Sequence, residues 1–256
     1  MNLLKKRIMD REILGGTWCN LGSSVSAEIA GYSGFDWVLI DLEHGSGTLS
    51  DLIPQLQAIA ATPAEAMVRI AANEPPRFKR VLDMGAQGVM VPYVSTADEA
   101  AQAVASMRYP PAGFRGVAKG HRATRYGANF ESYFQTAADS LVLATQIETT
   151  EALENADRIA AVDGVDVLFV GPLDLSTNLG IQAQYDHPKF DAAMKRVYEA
   201  AASAGKAAGI LWADPDDIRS AAKMGFTFLA IGSDSGHVVA GMKKCSNLIS
   251  EIKANT

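Results

Sequence analysis

The sequence predicts an α/β fold, a TIM (β/α)8 barrel, with a single domain over residues 1–256. Apolar runs of strand length alternate with helix-like segments, and eight such strand–helix units can be counted along the chain. The length of 256 residues suits this barrel, for which ~250 residues is typical. Polar and charged side chains gather just after the apolar runs, where the carboxyl ends of parallel strands bind ligands.

The first four units are short apolar runs, each followed by a segment of helical spacing. Their strands are predicted at Gly15–Leu21, Trp37–Leu42, Ala66–Ile70 and Gly88–Pro92. Their helices are predicted at Ala27–Gly31, Leu49–Ala61, Pro76–Met84 and Ala97–Met107. Gly85 should end the third helix, because glycine takes up the left-handed conformation that closes many helices.

The last four units complete the barrel in the same way. Their strands are predicted at Leu141–Ile147, Val165–Val170, Lys206–Trp212 and Phe226–Gly232. Helical spacing of apolar residues between Ala152 and Ala160 indicates a helix between the fifth and sixth strands. Further helices are predicted at Pro215–Met224 and Val238–Lys253.

One segment, Arg108–Gln135, interrupts the alternation, since it is long for a connection and shows no clear apolar period. It carries a basic cluster within an acidic protein, made of Arg108, Arg115, Lys119, His121, Arg122 and Arg125. Connections of this length are commonly functional, which predicts a gate or an acceptor pocket for an anionic or hydroxylated substrate. The alternative is a solvated loop whose charges offset nearby acids.

The composition is that of a soluble globular protein, with 48% hydrophobic and 20% charged residues. A net charge of −6 argues against nucleic acid as the main partner. The two cysteines, Cys19 and Cys245, have no CxxC spacing, which fits a reducing cytoplasm and neither a disulfide framework nor a structural zinc site. No apolar run approaches the length of a membrane span, so a soluble cytoplasmic protein without a membrane partner is expected.

The predicted strand ends place a set of polar and aromatic groups around one bowl. These are Trp18, Asn20, Asp41, Glu43, His44, Arg69, Gln146, Glu148, Gly171, Pro172, Leu173, Asp174, Trp212, Ser233 and Asp234. Glu148 and Asp174 follow adjacent strands, so their carboxylates can converge on a hard divalent cation that also holds substrate oxygens. Such an ion could chelate a 2-oxoacid and stabilise its enolate as a Lewis acid. The alternative for each acid is a helix cap or a loop position.

Two further residues suit the same chemistry. Arg69 would place positive charge at the developing enolate oxygen. His44 can move a proton near neutral pH, directly or through a bound water. Gly171 and Pro172 leave room for the backbone, so N–H groups near Leu173 could hold the substrate carboxylate. Alternatively, Arg69 is a salt-bridge partner and His44 is a rim histidine bound to Asp41 or Glu43.

Three other interpretations stay open. A doubly wound sheet is the competing fold, and its support is the glycine-rich Gly45–Ser50, which lacks the third glycine of a dinucleotide fingerprint. The loop Gly232–Gly236 is typical of phosphate sites in barrels and allows a metal-free phosphosugar isomerase or epimerase. A sugar-acid sensor without chemistry is a third reading, and the presence of every polar group needed for the reaction argues against it.

Four segments carry a resemblance to a known family. FDWVLIDLEHG at 35–45, RYPPAGFRGV at 108–117, QIET at 146–149 and GPLDLS at 171–176 together resemble the HpcH/HpaI aldolases, the metal-dependent class II pyruvate aldolases. The resemblance implies a TIM barrel assembled as a homo-hexamer, with the last helix exchanged between subunits. It also implies a carbon–carbon lyase, an aldehyde-lyase that reversibly cleaves 4-hydroxy-2-oxoacids to pyruvate, or hydroxypyruvate, and an aldehyde. The reaction would run through a metal-bound enolate with Mg²⁺, Mn²⁺ or Co²⁺.

The family's functional residues fall on matching positions of this chain. The resemblance implies Glu148 and Asp174 as metal ligands, His44 as the base and Arg69 as the enolate-stabilising arginine. It places pyruvate-binding contacts on the Gln146 side chain and the Leu173 backbone.

Further positions follow from the comparison of motifs and from the strand ends. The family credits an aspartate, here Asp83, with raising the basicity of the histidine, although the end of the third helix should lie near the opposite face of the barrel. Leu173 is larger than the family's usual residue, and the loop sequence KGHRATRYG differs from the small, apolar version of some members. We therefore expect Arg122 or His121 to favour acceptors with hydroxyl or carboxylate groups, with Trp18 and Trp212 also lining the substrate site.

Overall fold

The computed structural model describes residues 3–255 as a closed barrel of eight parallel strands. The strands are β1 Leu14–Cys19, β2 Trp37–Asp41, β3 Glu65–Arg69, β4 Gly88–Val91, β5 Val142–Ile147, β6 Val167–Val170, β7 Ala207–Trp212 and β8 Phe228–Ser233. They pair in chain order, and β1 closes the ring by pairing with β8. The (β/α)8 prediction is therefore confirmed, and the doubly wound sheet, which needs two open edges, is wrong.

Helices surround the strands. They are α1 Leu3–Met9, α2 Ser24–Tyr32, α3 Leu49–Ile59, α4 Pro75–Asp83, α5 Ala97–Met107, α6 Phe130–Ser140, α7 Thr150–Glu154, α8 Ala156–Ala160, α9 Pro172–Asn178, α10 Pro188–Ser203, α11 Pro215–Met224 and α12 Asp234–Ala254. The single helix predicted between β5 and β6 is divided into α7 and α8 at Asn155. The segment expected to be a long loop also contains a helix, because α6 begins at Phe130 and buries Ala137.

The barrel interior is packed rather than hollow. Trp37 stacks on Phe228 with ring centroids 4.1 Å apart, and Phe169 packs at their side. Helix α1 closes the amino-terminal end, where Leu4 and Ile8 are buried in the same cluster of side chains. This closed interior leaves the carboxyl-terminal rim as the end of the barrel where polar groups can meet a ligand.

A buried ion pair fastens α1 to the barrel. The Lys5 ammonium lies 3.1 Å from the Asp166 carboxylate and also donates to the carbonyl of Leu141 at 2.7 Å. The same carboxylate accepts from the backbone N–H of Leu143 at 2.9 Å. Both acceptors lie at the start of neighbouring strands, so this contact fixes the closed end of the barrel.

The last helix presents apolar side chains to solvent. Val238, Met242, Cys245 and Ile249 recur at spacings of four, three and four residues along α12, and all four are exposed. Such spacing forms a single stripe on a helix. Helix α2 likewise exposes Val25, Ile29 and Tyr32. Within residues 3–255, none of the helices combines the length and the apolar character required to cross a lipid bilayer.

Candidate active site

The carboxyl ends of β2, β3, β5 and β6 bring the predicted side chains to one rim. Asp41 and Arg69 are partners in the register between β2 and β3. Ile147 and Val170 are partners between β5 and β6, so the next residues, Glu148 and Gly171, leave the barrel side by side. Parallel strands end at the same edge, which is why residues distant in sequence meet here.

Arg69 is held by two acids. Its Nε and Nη2 atoms bind Asp41 Oδ1 and Oδ2 at 2.9 and 2.7 Å, and its Nη1 atom lies 2.9 Å from Glu43 Oε2. The guanidinium carbon lies 5.8 Å from the ring centroid of Trp18. Two-point binding of this kind fixes the guanidinium plane. Arg69 is therefore a salt-bridge partner, as the alternative interpretation expected, and it also lies at the rim.

His44 lies at the open edge of the same group. Its side chain is 69% exposed, and its Nε2 atom is 3.9 Å from Glu43 Oε1. Its backbone N–H is turned inward and donates to Asp41 Oδ1 at 3.3 Å. The imidazole therefore faces solvent beside the ion pairs, where it can exchange protons with a bound substrate or water.

Glu148 and Asp174 each accept a hydrogen bond from Tyr93. Glu148 is 2% exposed, and its Oε1 accepts from Gln146 Nε2 at 2.7 Å while its Oε2 accepts from the backbone N–H of Tyr93 at 3.2 Å. The Tyr93 hydroxyl donates to Asp174 Oδ1 at 2.9 Å. Burial raises the pKa of Glu148 to about 7, and the nearby Asp174 and Glu43 carboxylates add to this effect. The predicted pair of acids is thus brought together by the fold.

Gly171 leaves the space that Glu148 occupies. A Cβ atom added at Gly171 would lie only 2.1 Å from Glu148 Oε1, so any side chain there would displace the carboxylate. Pro172 follows as a buried first residue of α9, and Asp174 lies in the first turn of this helix. The start of α9 therefore presents Asp174 to the rim.

A cavity of about 510 Å³ lies at the mouth of the barrel, next to the start of the helix α9 that carries Asp174. Its walls include Trp18, Pro172, Leu173 and Trp212. The Leu173 side chain is 53% exposed, and Trp212 packs edge-on against Tyr185. The cavity joins the predicted substrate-binding residues of β1, α9 and β7, so a ligand held at Asp174 could extend along its largely apolar wall.

The donor set fits a divalent cation that shares its coordination shell with a substrate. Among residues 3–255, no group of three or more His, Cys, Asp or Glu side chains is arranged to hold a metal ion. Two carboxylates are present instead, and Gln146 Oε1 is buried beside them without a hydrogen-bond partner among the described groups. Mg²⁺ and similar ions commonly bind through one or two carboxylates together with water and substrate oxygens.

Two predicted site residues lie elsewhere in the same chain. Asp83 ends α4 and binds Arg115 Nη2 at 2.7 Å, with His121 Nε2 at 3.6 Å. Arg122 Nη1 donates to the carbonyl of Met84 at 2.9 Å. Because barrel helices run back from the ligand-binding rim, the end of α4 lies at the opposite end of the barrel. Within one chain, Arg122 and His121 lie at the end of α4, and their expected role in the choice of acceptor stays a prediction.

Tyr93 is the site residue that the sequence analysis missed. It comes two residues after the end of β4, so the rule that strand ends meet at the rim could have identified it. Its backbone lies in the left-handed region, with a φ angle of 52°. That conformation is uncommon for tyrosine and leaves no signal in the sequence. The contacts of this residue with two acids, one from its backbone N–H and one from its hydroxyl, became visible only in the fold.

The polar side chains of the loop Gly232–Gly236 already bind backbone groups of the chain. Ser233 Oγ caps α12 by accepting from the backbone N–H of Gly236 at 3.1 Å. The Asp234 carboxylate accepts from the backbone N–H groups of Asn20 and Leu21 at 2.7 and 3.3 Å. A buried carboxylate at this place would repel a phosphate group, because both are negatively charged. The geometry therefore does not favour the metal-free phosphosugar enzyme.

Similarity to known proteins extends over almost the whole chain. Residues 15–240 match the family described as HpcH/HpaI aldolase/citrate lyase. The chain is 44% identical over 230 residues to a hydroxypyruvate/pyruvate aldolase of Chromohalobacter salexigens, covering 90% of either protein. It is 40% identical over 235 residues to a 5-keto-4-deoxy-D-glucarate aldolase of Enterobacter sp. strain 638, covering 92% of this chain and 91% of that protein.

A solved structure gives the same result in three dimensions. The crystal structure of an HpcH/HpaI aldolase/citrate lyase family protein from Burkholderia cenocepacia J2315 superposes with a TM-score of 0.93 at 38% sequence identity. The match covers 98% of this chain and 100% of that one. The motifs, the barrel and the rim of acids with one arginine thus lead to a single conclusion, that this chain belongs to the HpcH/HpaI aldolase/citrate lyase family.

Proposed function

We propose that this protein is a single-domain class II aldolase that reversibly cleaves 4-hydroxy-2-oxoacids to pyruvate, or hydroxypyruvate, and an aldehyde. The observation that carries the proposal is the convergence of Glu148 and Asp174 next to the fixed guanidinium of Arg69. Aldolase chemistry agrees with the family and with the names of both relatives described above. The name of the C. salexigens relative includes both ketoacids, which supports the choice of donors.

The two carboxylates are proposed to hold a divalent ion such as Mg²⁺, Mn²⁺ or Co²⁺. When bound, the ion would polarise the keto group and favour enolate formation as a Lewis acid. Glu148 suits this role because Gln146 and the Tyr93 backbone already fix its orientation. Its burial, which raises its pKa, makes a nearby positive charge favourable to its ionised form.

Of the remaining groups, one would stabilise negative charge and another would transfer the proton. Arg69 presents a permanent positive charge whose position is set by Asp41, which suits an oxyanion that develops at the rim. His44 would accept and return a proton at its imidazole, which the structure leaves exposed. Gln146 Nε2 and the backbone N–H of Leu173 would bind the ketoacid, and Trp18 and Trp212 would enclose its body.

We also propose a homo-oligomer in which α12 is exchanged between subunits, and a hexamer as the family resemblance implies. The exposed stripe of Val238, Met242 and Ile249 supports this arrangement, since α2 offers a matching exposed stripe. Asp83 and Arg122 could then contribute to catalysis only from a neighbouring subunit, because each lies far from the rim of its own chain. A cytoplasmic location stays a prediction, and the unpaired Cys19 and Cys245 agree with it.

A panel of aldehydes tests the proposed reaction. The panel is assayed with pyruvate or hydroxypyruvate, first after dialysis against EDTA and then with each metal ion restored. We expect C–C bond formation to disappear on dialysis and to return with Mg²⁺, Mn²⁺ or Co²⁺. Undiminished turnover in a metal-free sample would exclude the class II mechanism, and a phosphosugar isomerase assay run in parallel examines the alternative.

A further inference from the structure

We propose that Tyr93 is a positioning residue that holds both metal-binding carboxylates, a role that rests on the function proposed above. One residue contacts the two acids with different groups. Its backbone N–H donates to Glu148 Oε2 at 3.2 Å, and its hydroxyl donates to Asp174 Oδ1 at 2.9 Å. Glu148 follows β5 and Asp174 follows β6, so Tyr93, which follows β4, joins the ends of three neighbouring strands.

The backbone of Tyr93 is held in an unfavourable conformation. A φ angle of 52° lies in the left-handed region, which is unfavourable for a residue with a side chain of this size. The residues on either side, Pro92 and Val94, are both buried, so they restrict the conformation that the chain can adopt here. Strained conformations of this kind persist where the surroundings fix them, and they cluster at functional sites.

The contacts leave room for a cation. A carboxylate can accept at about four lone-pair sites on its two oxygens. The Tyr93 hydroxyl uses Asp174 Oδ1, so Oδ2 stays available, and Glu148 keeps further lone pairs on both oxygens. Hydrogen bonds that orient ligating groups in this way typically contribute about 10–100-fold to metal affinity. The alternative is that the hydroxyl occupies the position of the cation and competes with it.

Metal affinity in the absence of substrate distinguishes these two roles. Tyr93→Phe removes the hydroxyl and retains the ring, while Tyr93→Gly removes the whole side chain and retains the N–H in a conformation that glycine accepts. Binding of Mn²⁺ to each metal-free protein is measured by calorimetry. We expect both variants to bind Mn²⁺ about tenfold or more weakly than the unchanged protein.

Matched variants identify which part of the proposal fails, if one does. Tyr198→Phe removes a hydroxyl in the outer helix α10 and should leave Mn²⁺ affinity unchanged. Glu148→Gln and Asp174→Asn test the metal site itself. If these two variants bind Mn²⁺ normally, both the metal site and the role of Tyr93 are excluded. If they lose binding while Tyr93→Phe binds equally well or more tightly, the metal site stands and the positioning role is overturned.

A spectroscopic measurement gives a second readout. The visible absorption of bound Co²⁺ depends on the geometry of its ligands, so a reoriented Asp174 should change the spectrum of Tyr93→Phe and leave that of Tyr198→Phe unaltered. Thermal unfolding of each metal-free variant provides the check on folding. The Tyr93 side chain is 48% exposed, so loss of its hydroxyl should leave the fold intact.

Discussion

Arg69 and Asp41 form a two-point salt bridge at the carboxyl ends of β2 and β3, with N–O distances of 2.9 and 2.7 Å. The Asp41 side chain is completely buried, and it also accepts from the backbone N–H of Glu43 at 3.0 Å. The pair therefore fixes the guanidinium in place and organises the turn that carries His44. Loss of Arg69 leaves the buried charge of Asp41 without its ion-pair partner.

The first prediction separates the two roles of Arg69. Arg69→Lys keeps a charge but cannot form the two-point contact, whereas Arg69→Ala leaves Asp41 and Glu43 unpaired. We expect Arg69→Lys to lower kcat about 100-fold, the scale of a lost oxyanion donor. Arg69→Ala should also lower the free energy of unfolding by about 3–5 kcal/mol. Aldol turnover, exchange of the pyruvate α-protons and urea denaturation measure these effects, and normal proton exchange in Arg69→Ala would refute the role.

The second prediction concerns His44, whose imidazole is exposed. His44→Ala should leave the free energy of unfolding unchanged, because no buried contact is removed. It should reduce both α-proton exchange and aldol turnover by about 100-fold or more, the usual contribution of a general base. His187→Ala is the control, since that imidazole caps α10 and should leave both rates unaltered. Equal exchange rates in the two variants would remove His44 from the mechanism.

Gly171 gives a third prediction. Gly171→Ala would place a methyl group 2.1 Å from Glu148 Oε1 and push the carboxylate out of position. We expect at least tenfold weaker Mn²⁺ binding, on the scale of disturbed metal-ligand orientation. Gly15→Ala is a suitable control, because its added methyl group meets its nearest atom at 3.9 Å, an ordinary contact. Unchanged Mn²⁺ affinity in Gly171→Ala would contradict the proposed ligand position.

The fourth prediction compares two adjacent lysines of α1. Lys5 pairs with buried Asp166, while Lys6 pairs with Asp10 on the surface. Lys5→Met leaves the buried carboxylate uncompensated, which should lower the free energy of unfolding by about 3 kcal/mol. Lys6→Met should have no measurable effect, since exposed ion pairs contribute little. Urea denaturation of both variants measures the difference, and equal stabilities would show that the pair does not fasten α1.

The fifth prediction examines the exposed face of α12. Met242 lies on the apolar stripe, whereas Asn247 is exposed on the opposite side of the same helix. Met242→Glu should reduce the oligomeric mass, because a charge would be buried where α12 packs on a second subunit. Asn247→Glu adds the same charge and should leave the mass unchanged. Light scattering after size-exclusion chromatography reports both masses, and an intact oligomer with Met242→Glu would argue against helix exchange.

The sequence was most informative where a residue follows an apolar strand. Strand periodicity placed Glu148, Asp174, Arg69 and His44 at one rim, because parallel strands end together. The helix α6 was missed because its buried face is small: Ala137 is the one residue of this helix that is fully buried. The hydrogen bond from the Tyr93 backbone N–H to the Glu148 carboxylate could not be predicted. It depends on the left-handed backbone conformation of Tyr93, which the residue type does not encode.

Arg122 shows a different limit. Its basic loop suggested an acceptor pocket, but the loop returns to the end of α4, where Arg122 donates to the carbonyl of Met84. Charge alone does not determine at which end of a barrel a long connection lies, so the sequence could not place this segment.

The charge at the rim has a consequence for the binding of the ketoacid. Among the described groups that meet there, Asp41, Glu43, Glu148 and Asp174 outnumber the single guanidinium of Arg69. A ketoacid is itself an anion, so it would be repelled from a rim that carries this excess of negative charge. Under the proposed function, a bound divalent cation would offset two of these negative charges, so we expect the ketoacid to bind more tightly once the ion is in place.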